Sequence, residues 1–170
     1  MSDIENIEKL SPIESKLLHK SVEKAEQKIT KKIIKQRKIT DIMKIVENFI
    51  RDKELICYGG TAINNILPKD LQFYTNDFYI PDYDFFSTKP IQDTKTLANK
   101  FYKAGFNDIE AKAGVHKGTF KIFVNFVPVA DITYLHKDIF YNLKKQCKIL
   151  NKIHYAPPNY LRMSMYSELS

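Results

Sequence analysis

The sequence has few cysteines and no long apolar run, and both absences exclude classes of protein. No run approaches the roughly 20 apolar residues of a membrane-spanning helix. Cys57 and Cys147 are single and far apart, which gives neither a disulfide framework nor the spacing of a zinc site. The N-terminal residues MSDIENIEKL do not have the pattern of a signal peptide. We therefore expect an intracellular, cytoplasmic protein that does not bind membranes.

Arginine is also scarce, although the chain is basic. Only three of the 27 basic residues are arginine, and the net charge is +7. A basic balance favours polyanionic partners through counterion release. The abundance of Lys, Ile and Asn is also typical of an AT-rich genome, so the charge alone is weak support for such a partner. With 170 residues, 44% of them hydrophobic, the chain is long enough for one globular domain with a core.

The first part of the chain has two helical patterns. Ser11-Pro12-Ile13-Glu14 is typical of a helix start with a capping box. Thr40 is the predicted cap of a second helix, whose apolar stripe has the 3.6-residue period: Ile42, Ile45, Val46, Phe49 and Ile50. We expect an N-terminal helical segment over residues 1–38 and a single domain over residues 39–170.

After Leu55 short strand patterns alternate with helical ones. Strands are predicted at 55–58, 83–87 and 109–113, and helices at 61–67, 93–104, 138–143 and 159–169. The strongest strand signal, Thr119–Leu135, contains Pro128, which we interpret as the break between two strands. The mixture predicts the α/β (α+β) class, with a mixed sheet backed by helices.

The stretch PDYDFFS places two carboxylates on one side of a strand. Asp82 and Asp84 are two residues apart, so their side chains share a face, while Tyr83 and Phe85 are directed into the core. Carboxylates this close repel each other unless a cation lies between them, and Mg2+ prefers oxygen ligands. The alternative is a solvated Asp-x-Asp turn, which the flanking aromatic residues disfavour.

A third acid, Asp131, lies within the apolar strand VADITYL. An aspartate there is costly to bury without a partner. One interpretation is a strand-edge residue paired with one of the many lysines. The other is a third metal ligand on a strand adjacent to Asp82 and Asp84. Three carboxylates that bridge two metals are the arrangement used for in-line phosphoryl or nucleotidyl transfer.

The stretch CYGGTAINN raises the question of what its two glycines approach. It lacks the Lys-Ser/Thr of a Walker A loop and the third glycine of a dinucleotide fingerprint. Gly59 and Gly60, at the junction of a strand and a helix, can present backbone N–H groups to a phosphate, and Thr61 can add a hydroxyl. The order of strand, glycine turn, helix and acidic strands predicts a triphosphate held beside metal-binding aspartates.

Three stretches, YGGTAIN, IPDYDFFS and VADITYL, together resemble the poly(A) polymerase catalytic subunits of large cytoplasmic DNA viruses, the poxvirus and giant-virus group. These belong to the polymerase-β-like nucleotidyltransferases. The stretch YLRMSMYSELS is similar to the segment that follows their catalytic core. The resemblance covers roughly Ile39 to Ser170 and implies the polymerase-β-like fold.

The resemblance also implies an activity, polynucleotide adenylyl transfer from ATP to an mRNA 3′ end, with Mg2+ or Mn2+ as cofactor. It implies that Asp82 and Asp84 bind both metals and that Asp131 binds the metal that activates the 3′-hydroxyl. It further implies that three residues hold the triphosphate: Gly59, Gly60 and Thr61. A homodimer or a second polymerase subunit is the implied protein partner, and a viral factory or a virion the implied setting.

Family members have a further large domain after this core, whereas this chain ends at Ser170. We therefore expect a fragment, or a chain that works with another. Two alternatives stay open: a small nucleotidyltransferase that modifies a protein or small molecule, and a non-catalytic remnant that binds RNA or a partner. Lys117, Lys121 and Tyr134 have residue types that contact phosphates or bases, but in a lysine-rich chain we interpret them as coincidental surface or packing positions.

Overall fold

The computed structural model describes residues 20–22, 24, 38–74 and 82–168, and for residues 167 and 168 the backbone only. The chain divides into two units, Met1–Lys38 and Ile39–Ser170. The helix predicted from Ser11 lies outside the described residues, except that 20–22 and 24 are helical. Among the described helices, none is both long and apolar enough to cross a membrane.

The helix α1 covers the described residues 38–53, so nearly all of it belongs to the second unit. The predicted cap at Thr40 is therefore wrong, because residues 38 and 39 are already helical. The predicted apolar stripe is confirmed: Val46, Phe49 and Ile50 are fully buried. The helix ends at Glu54, which has φ +49°, and the N–H of Leu55 then bonds to the carbonyl of Ile50 at 3.0 Å.

The remaining elements follow the predicted order, with two short strands added. They are β1 (Ile56–Tyr58), α2 (Gly59–Ile66), β2 (Tyr83–Ser87), α3 (Pro90–Lys103), β3 (Ile109–Ala113), β4 (Thr119–Val124), β5 (Val127–Tyr134), α4 (Lys137–Lys144), β6 (Lys148–Leu150), β7 (Ile153–Tyr155) and α5 (Pro158–Glu168). The β6–β7 hairpin was not predicted. Its turn residues, Asn151 and Lys152, have positive φ without the glycine that usually marks such turns.

The strands form one seven-stranded sheet in the order β3-β4-β5-β2-β1-β7-β6. β2 runs parallel to β5 and β1 parallel to β7, while the other neighbours are antiparallel. The predicted mixed sheet backed by helices is therefore confirmed. One face packs on α1, where the rings of Phe49 and Phe85 are 6.2 Å apart, and on α3, whose Leu97 and Phe101 are fully buried. The opposite face carries the candidate site.

The β4–β5 hairpin differs from the prediction in where it turns. The turn is Asn125–Phe126, both with positive φ, and Pro128 lies within β5. A proline is tolerated there because β2 pairs with β5 only from Ala130 onward, so β5 has one neighbour at Pro128. A bulge beside Ile122 then shifts the pairing by one residue.

Candidate functional site

The sheet brings the three predicted carboxylates together at neighbouring positions. Asp84 and Asp131 are direct register partners on the parallel strands β2 and β5, so their side chains project from the same face. Asp82 comes immediately before β2. Parallel pairing of β2 with β5, across 46 intervening residues of chain, is what places the third acid beside the first two.

The local charges disfavour ionisation of Asp82. Burial, and then the charge of Asp131, raise the pKa of Asp82 to about 6, although Lys121 opposes the shift. Oδ1 of Asp82 and Oδ1 of Asp131 are both buried without a hydrogen-bond partner in the structure. Two crowded carboxylates with unsatisfied oxygens form a site that favours a cation.

Lys121 is the residue that the sequence reasoning set aside and the structure places in the site. It lies opposite Asp131 on β4, and its Nζ donates a hydrogen bond to Oδ2 of Asp131. Burial alone would lower the pKa of the Lys121 ammonium, but its bond to Asp131 and the charges of all three aspartates together raise it. The bulge creates this pairing, since an unshifted hairpin would place Lys121 opposite Ala130.

The three carboxylates do not form a ready-made metal cage. Across residues 38–74 and 82–168, no group of three or more His, Cys, Asp or Glu side chains is placed to hold a metal ion. The donor atoms still fit a hard divalent cation, because they are carboxylate oxygens and two of them lack a hydrogen-bond partner. Metal ligation by Asp82, Asp84 and Asp131 stays a prediction that these oxygens support.

The glycine turn lies directly against the acidic strand. Gly59 has φ +71°, and a Cβ added to it would meet Oδ2 of Asp84 at 2.1 Å. A Cβ on Gly60 would meet the Tyr74 hydroxyl at 2.6 Å. α2 starts at Gly59 without a side-chain cap or an acidic residue in its first turn, so N–H groups are available there. This supports an anion site, and triphosphate binding by Gly59 and Gly60 stays a prediction.

Thr61 and Asn64 hold the backbone around the site. The Thr61 hydroxyl donates to the carbonyl of Asp82 at 2.7 Å, and Thr61 is buried. Thr61 thus fixes the start of β2, whereas its predicted triphosphate contact stays a prediction. Oδ1 of the buried Asn64 accepts from the N–H groups of Phe73 and Tyr74, each at 2.9 Å. Asn64 gave no signal in sequence, because a single amide within a helix has no distinctive pattern.

A chain of hydroxyl groups crosses the same face beside the carboxylates. The Tyr58 hydroxyl and the Thr133 hydroxyl are 2.7 Å apart, and Thr133 and Thr119 are joined at 2.9 Å. The Tyr58 ring stacks on Phe86 with centroids 4.0 Å apart. Burial raises the pKa of Tyr58, so its phenol stays neutral and serves as a rigid wall of the site.

Comparison with known proteins agrees with this architecture. The family described as Poly(A) polymerase catalytic subunit matches residues 44–170. A protein of Acanthamoeba polyphaga mimivirus, described as a candidate poly(A) polymerase catalytic subunit, is 36% identical over 124 residues, 71% of this chain and 20% of that protein. A protein of African swine fever virus with the same description is 32% identical over 125 residues, 73% of this chain and 26% of that protein.

A solved structure gives the same result. The crystal structure of the Megavirus polyadenylate synthase matches with a TM-score of 0.71 and 28% identity, over 86% of this chain and 31% of that chain. The chain thus spans between a fifth and a third of the length of these proteins. The predicted polymerase-β-like nucleotidyltransferase fold and the family resemblance are both confirmed. The chain belongs to the poly(A) polymerase catalytic subunit family.

Proposed function

We propose that residues 39–170 form the catalytic domain of a polynucleotide adenylyltransferase, which adds AMP from ATP to mRNA 3′ ends in the cytoplasm. Residues 1–38 are then an N-terminal helical segment outside the catalytic domain. The observation that carries the proposal is the direct pairing of Asp84 with Asp131, with Asp82 and the Gly59 turn beside them. A fold alone would not assign this activity.

The reaction is a single displacement at the α-phosphorus of ATP. The RNA 3′-oxygen forms a bond to this phosphorus, the bond to pyrophosphate breaks, and the hydroxyl proton leaves to solvent. Asp82, Asp84 and Asp131 would hold Mg2+ or Mn2+. A divalent cation bound there supplies the charge that lowers the hydroxyl pKa and offsets charge on the phosphates.

The other residues of the site act on position and charge. The first N–H groups of α2, at Gly59 and Gly60, would bind triphosphate oxygens, which the uncapped start of this helix supports. The hydrogen bond of Thr61 fixes the backbone of Asp82. Lys121 compensates the negative charge of Asp131 while no cation or ATP is bound. Since the matched relatives are described as catalytic subunits, we propose that RNA extension also uses a second polymerase subunit or a second copy of the chain.

A second candidate is a non-catalytic module that binds RNA or a partner. Two observations favour it: Lys121 forms an ion pair with Asp131, and the described carboxylates form no group placed to hold a metal ion. Under this proposal the aspartates are remnants and the basic surface carries the function.

Primer extension distinguishes the candidates. The purified chain is incubated with labelled RNA, Mn2+ or Mg2+ and each nucleoside triphosphate separately, with Asp84→Asn as the test variant and the exposed Asp108→Asn as its matched control. Extension with ATP that is lost only in Asp84→Asn supports the adenylyltransferase. Label transferred to protein or a small molecule supports a different nucleotidyltransferase. No transfer, with RNA binding intact, supports the non-catalytic module.

A further inference from the structure

An open pocket of about 940 Å³ lies on the sheet face opposite the aspartates. It is formed where β2 and β5 end and α3 begins, and Phe120 and Tyr134 line it. Alternation along β5 directs Tyr134 to the face opposite Asp131 and Thr133. The pocket is therefore separate from the candidate active site, and its volume is in the range of nucleotide-sized ligands.

The pocket is positively charged. Lys89, Lys95 and Lys117 line it, and no carboxylate does. None of these three ammonium groups forms an ion pair with a described residue. The nearby Asp93 is engaged by the Ser87 hydroxyl and by Lys53. The charge of the pocket is thus available to an anionic ligand.

The pocket also presents apolar and aromatic surface. Ile91 is 56% exposed and Tyr134 is 48% exposed, and the half-buried ring of Phe120 lies between the strands and α3. Aromatic rings with lysines at their edge are the features that bind single-stranded nucleic acid, because bases stack on rings while ammonium groups contact phosphates. The positive end of α3, a 14-residue helix, adds to the attraction for phosphate.

We propose that this pocket binds single-stranded RNA upstream of the 3′ end that reaches the aspartates. Lys117 and Gly118 lie in the loop between β3 and β4, and the N–H of Tyr134 donates to the carbonyl of Gly118 at 2.9 Å. This loop is therefore at the end of β5, three residues or about 10 Å beyond Asp131, so an RNA strand that crosses the loop can reach both the pocket and the aspartates. The role as an acceptor site rests on the proposed adenylyltransferase function, whereas the binding of RNA does not. An upstream RNA segment that stays bound in the pocket would keep the RNA attached to the protein between successive additions of AMP.

The test is binding of a labelled single-stranded oligo(A) RNA by fluorescence anisotropy, in EDTA and without nucleotide. The variant Lys89→Gln/Lys95→Gln/Lys117→Gln is compared with Lys44→Gln/Lys103→Gln/Lys145→Gln, which removes the same charge from exposed positions outside the pocket. We expect the pocket variant to bind about tenfold or more weakly. Its slope of log affinity against log salt falls by about 2, since each phosphate contact contributes about 0.7. The control variant keeps the wild-type slope.

The contribution of stacking is tested separately. Tyr134→Ala is expected to weaken binding of the single strand about tenfold and to leave binding of duplex RNA unchanged, because duplex bases are not free to stack. Equal losses in both triple variants, or unchanged binding in the pocket variant and in Tyr134→Ala, would overturn the proposal.

Failure of the pocket and failure of the proposed function give different results. If wild type shows no primer extension but the pocket variants lose RNA binding, the catalytic proposal fails and the pocket proposal stands. If wild type extends RNA and the pocket variants bind and extend it equally well, the pocket proposal fails alone.

Discussion

Gly59 packs directly against Asp84, so closely that a Cβ on Gly59 would meet Oδ2 of Asp84 at 2.1 Å. Gly59 also has φ +71°, a conformation that side chains rarely adopt. Glycine is thus required for two independent reasons, backbone conformation and space. The glycine turn and β2 are therefore coupled, because a side chain at Gly59 would displace the carboxylate of Asp84.

The substitution Gly59→Ala tests this coupling between the glycine turn and Asp84. We expect the left-handed conformation to cost about 1–2 kcal/mol of unfolding free energy. We expect the added Cβ to displace the Asp84 carboxylate and to reduce nucleotidyl transfer on the order of a hundredfold. The measurements are thermal unfolding and primer extension.

The matched control is Gly105→Ala. Gly105 has φ +89° but nothing within 4 Å of an added Cβ, so this variant has the backbone strain without the displacement. It should lose stability and keep its activity. Equal activity losses in the two variants would attribute the effect of Gly59→Ala to strain rather than to Asp84.

Substitution Asp82→Asn should stabilise the metal-free protein at neutral pH. The pKa of Asp82 is raised from 3.8 to about 6, so the ionised form costs folding free energy. The cost is absent below pH 4, develops between pH 4 and 6, and is complete above pH 6. The shift sets an upper bound of about 3 kcal/mol, and screening of this partly exposed group reduces it to about 1 kcal/mol.

Urea unfolding in EDTA at pH 7.5 and pH 4 measures this effect. We expect Asp82→Asn to be more stable than wild type at pH 7.5 and equal to it at pH 4. The exposed Asp70→Asn should stay within about 0.5 kcal/mol of wild type at both pH values. A loss of stability at pH 7.5 in Asp82→Asn would contradict an unfavourable charge at this position.

Much of the fold and the candidate site was accessible from the sequence, because local patterns report local structure. The strand predicted at 83–87 matches β2 to the residue, and the two-residue spacing of Asp82 and Asp84 identified their shared face. An aspartate in the apolar strand around Asp131 required a partner, and both predicted alternatives have a counterpart: Lys121 pairs with Asp131, and β5 lies beside β2. The family resemblance connected these local signals into one architecture.

The missed features depend on long-range register. Lys121 meets Asp131 only because of the bulge beside Ile122, and no local pattern in a lysine-rich chain distinguishes one lysine from another. The prediction that Pro128 breaks the strand was wrong for a related reason. It applied the rule for central strands to Pro128. The pairing of β5 with its second neighbour, β2, starts only at Ala130, so β5 is an edge strand at Pro128.

Substitution Lys121→Met tests the role of this lysine as the resident counter-charge. Without it, the carboxylates of Asp131 and Asp82 face each other uncompensated, so we expect a loss of about 1–3 kcal/mol in EDTA at pH 7.5. Mn2+ should raise the melting temperature of the variant more than that of wild type, because the cation replaces the missing charge.

The control is Lys112→Met, whose ammonium lies on the same side of the sheet and forms an exposed pair with Glu110 at 3.3 Å. Such a pair contributes about 0–1 kcal/mol, so the control should unfold and respond to Mn2+ like wild type. A Lys121→Met protein that is as stable as wild type and insensitive to Mn2+ would refute both the compensating role and the proposed cation site.

Substitution of Thr61 distinguishes two contacts of its hydroxyl. The sequence predicts a contact with the triphosphate, whereas the structure has a hydrogen bond to the carbonyl of Asp82. Thr61→Val keeps the shape but removes the hydrogen bond to the Asp82 carbonyl, at a cost of about 1 kcal/mol. If Thr61 positions Asp82, Thr61→Val lowers kcat, weakens Mn2+ binding without ATP, and leaves the KM for ATP near the wild-type value. If Thr61 contacts the triphosphate, the KM for ATP rises while Mn2+ binding without ATP is unchanged. We expect the first result, with recovery in Thr61→Ser, because the hydroxyl is buried and already donates to Asp82.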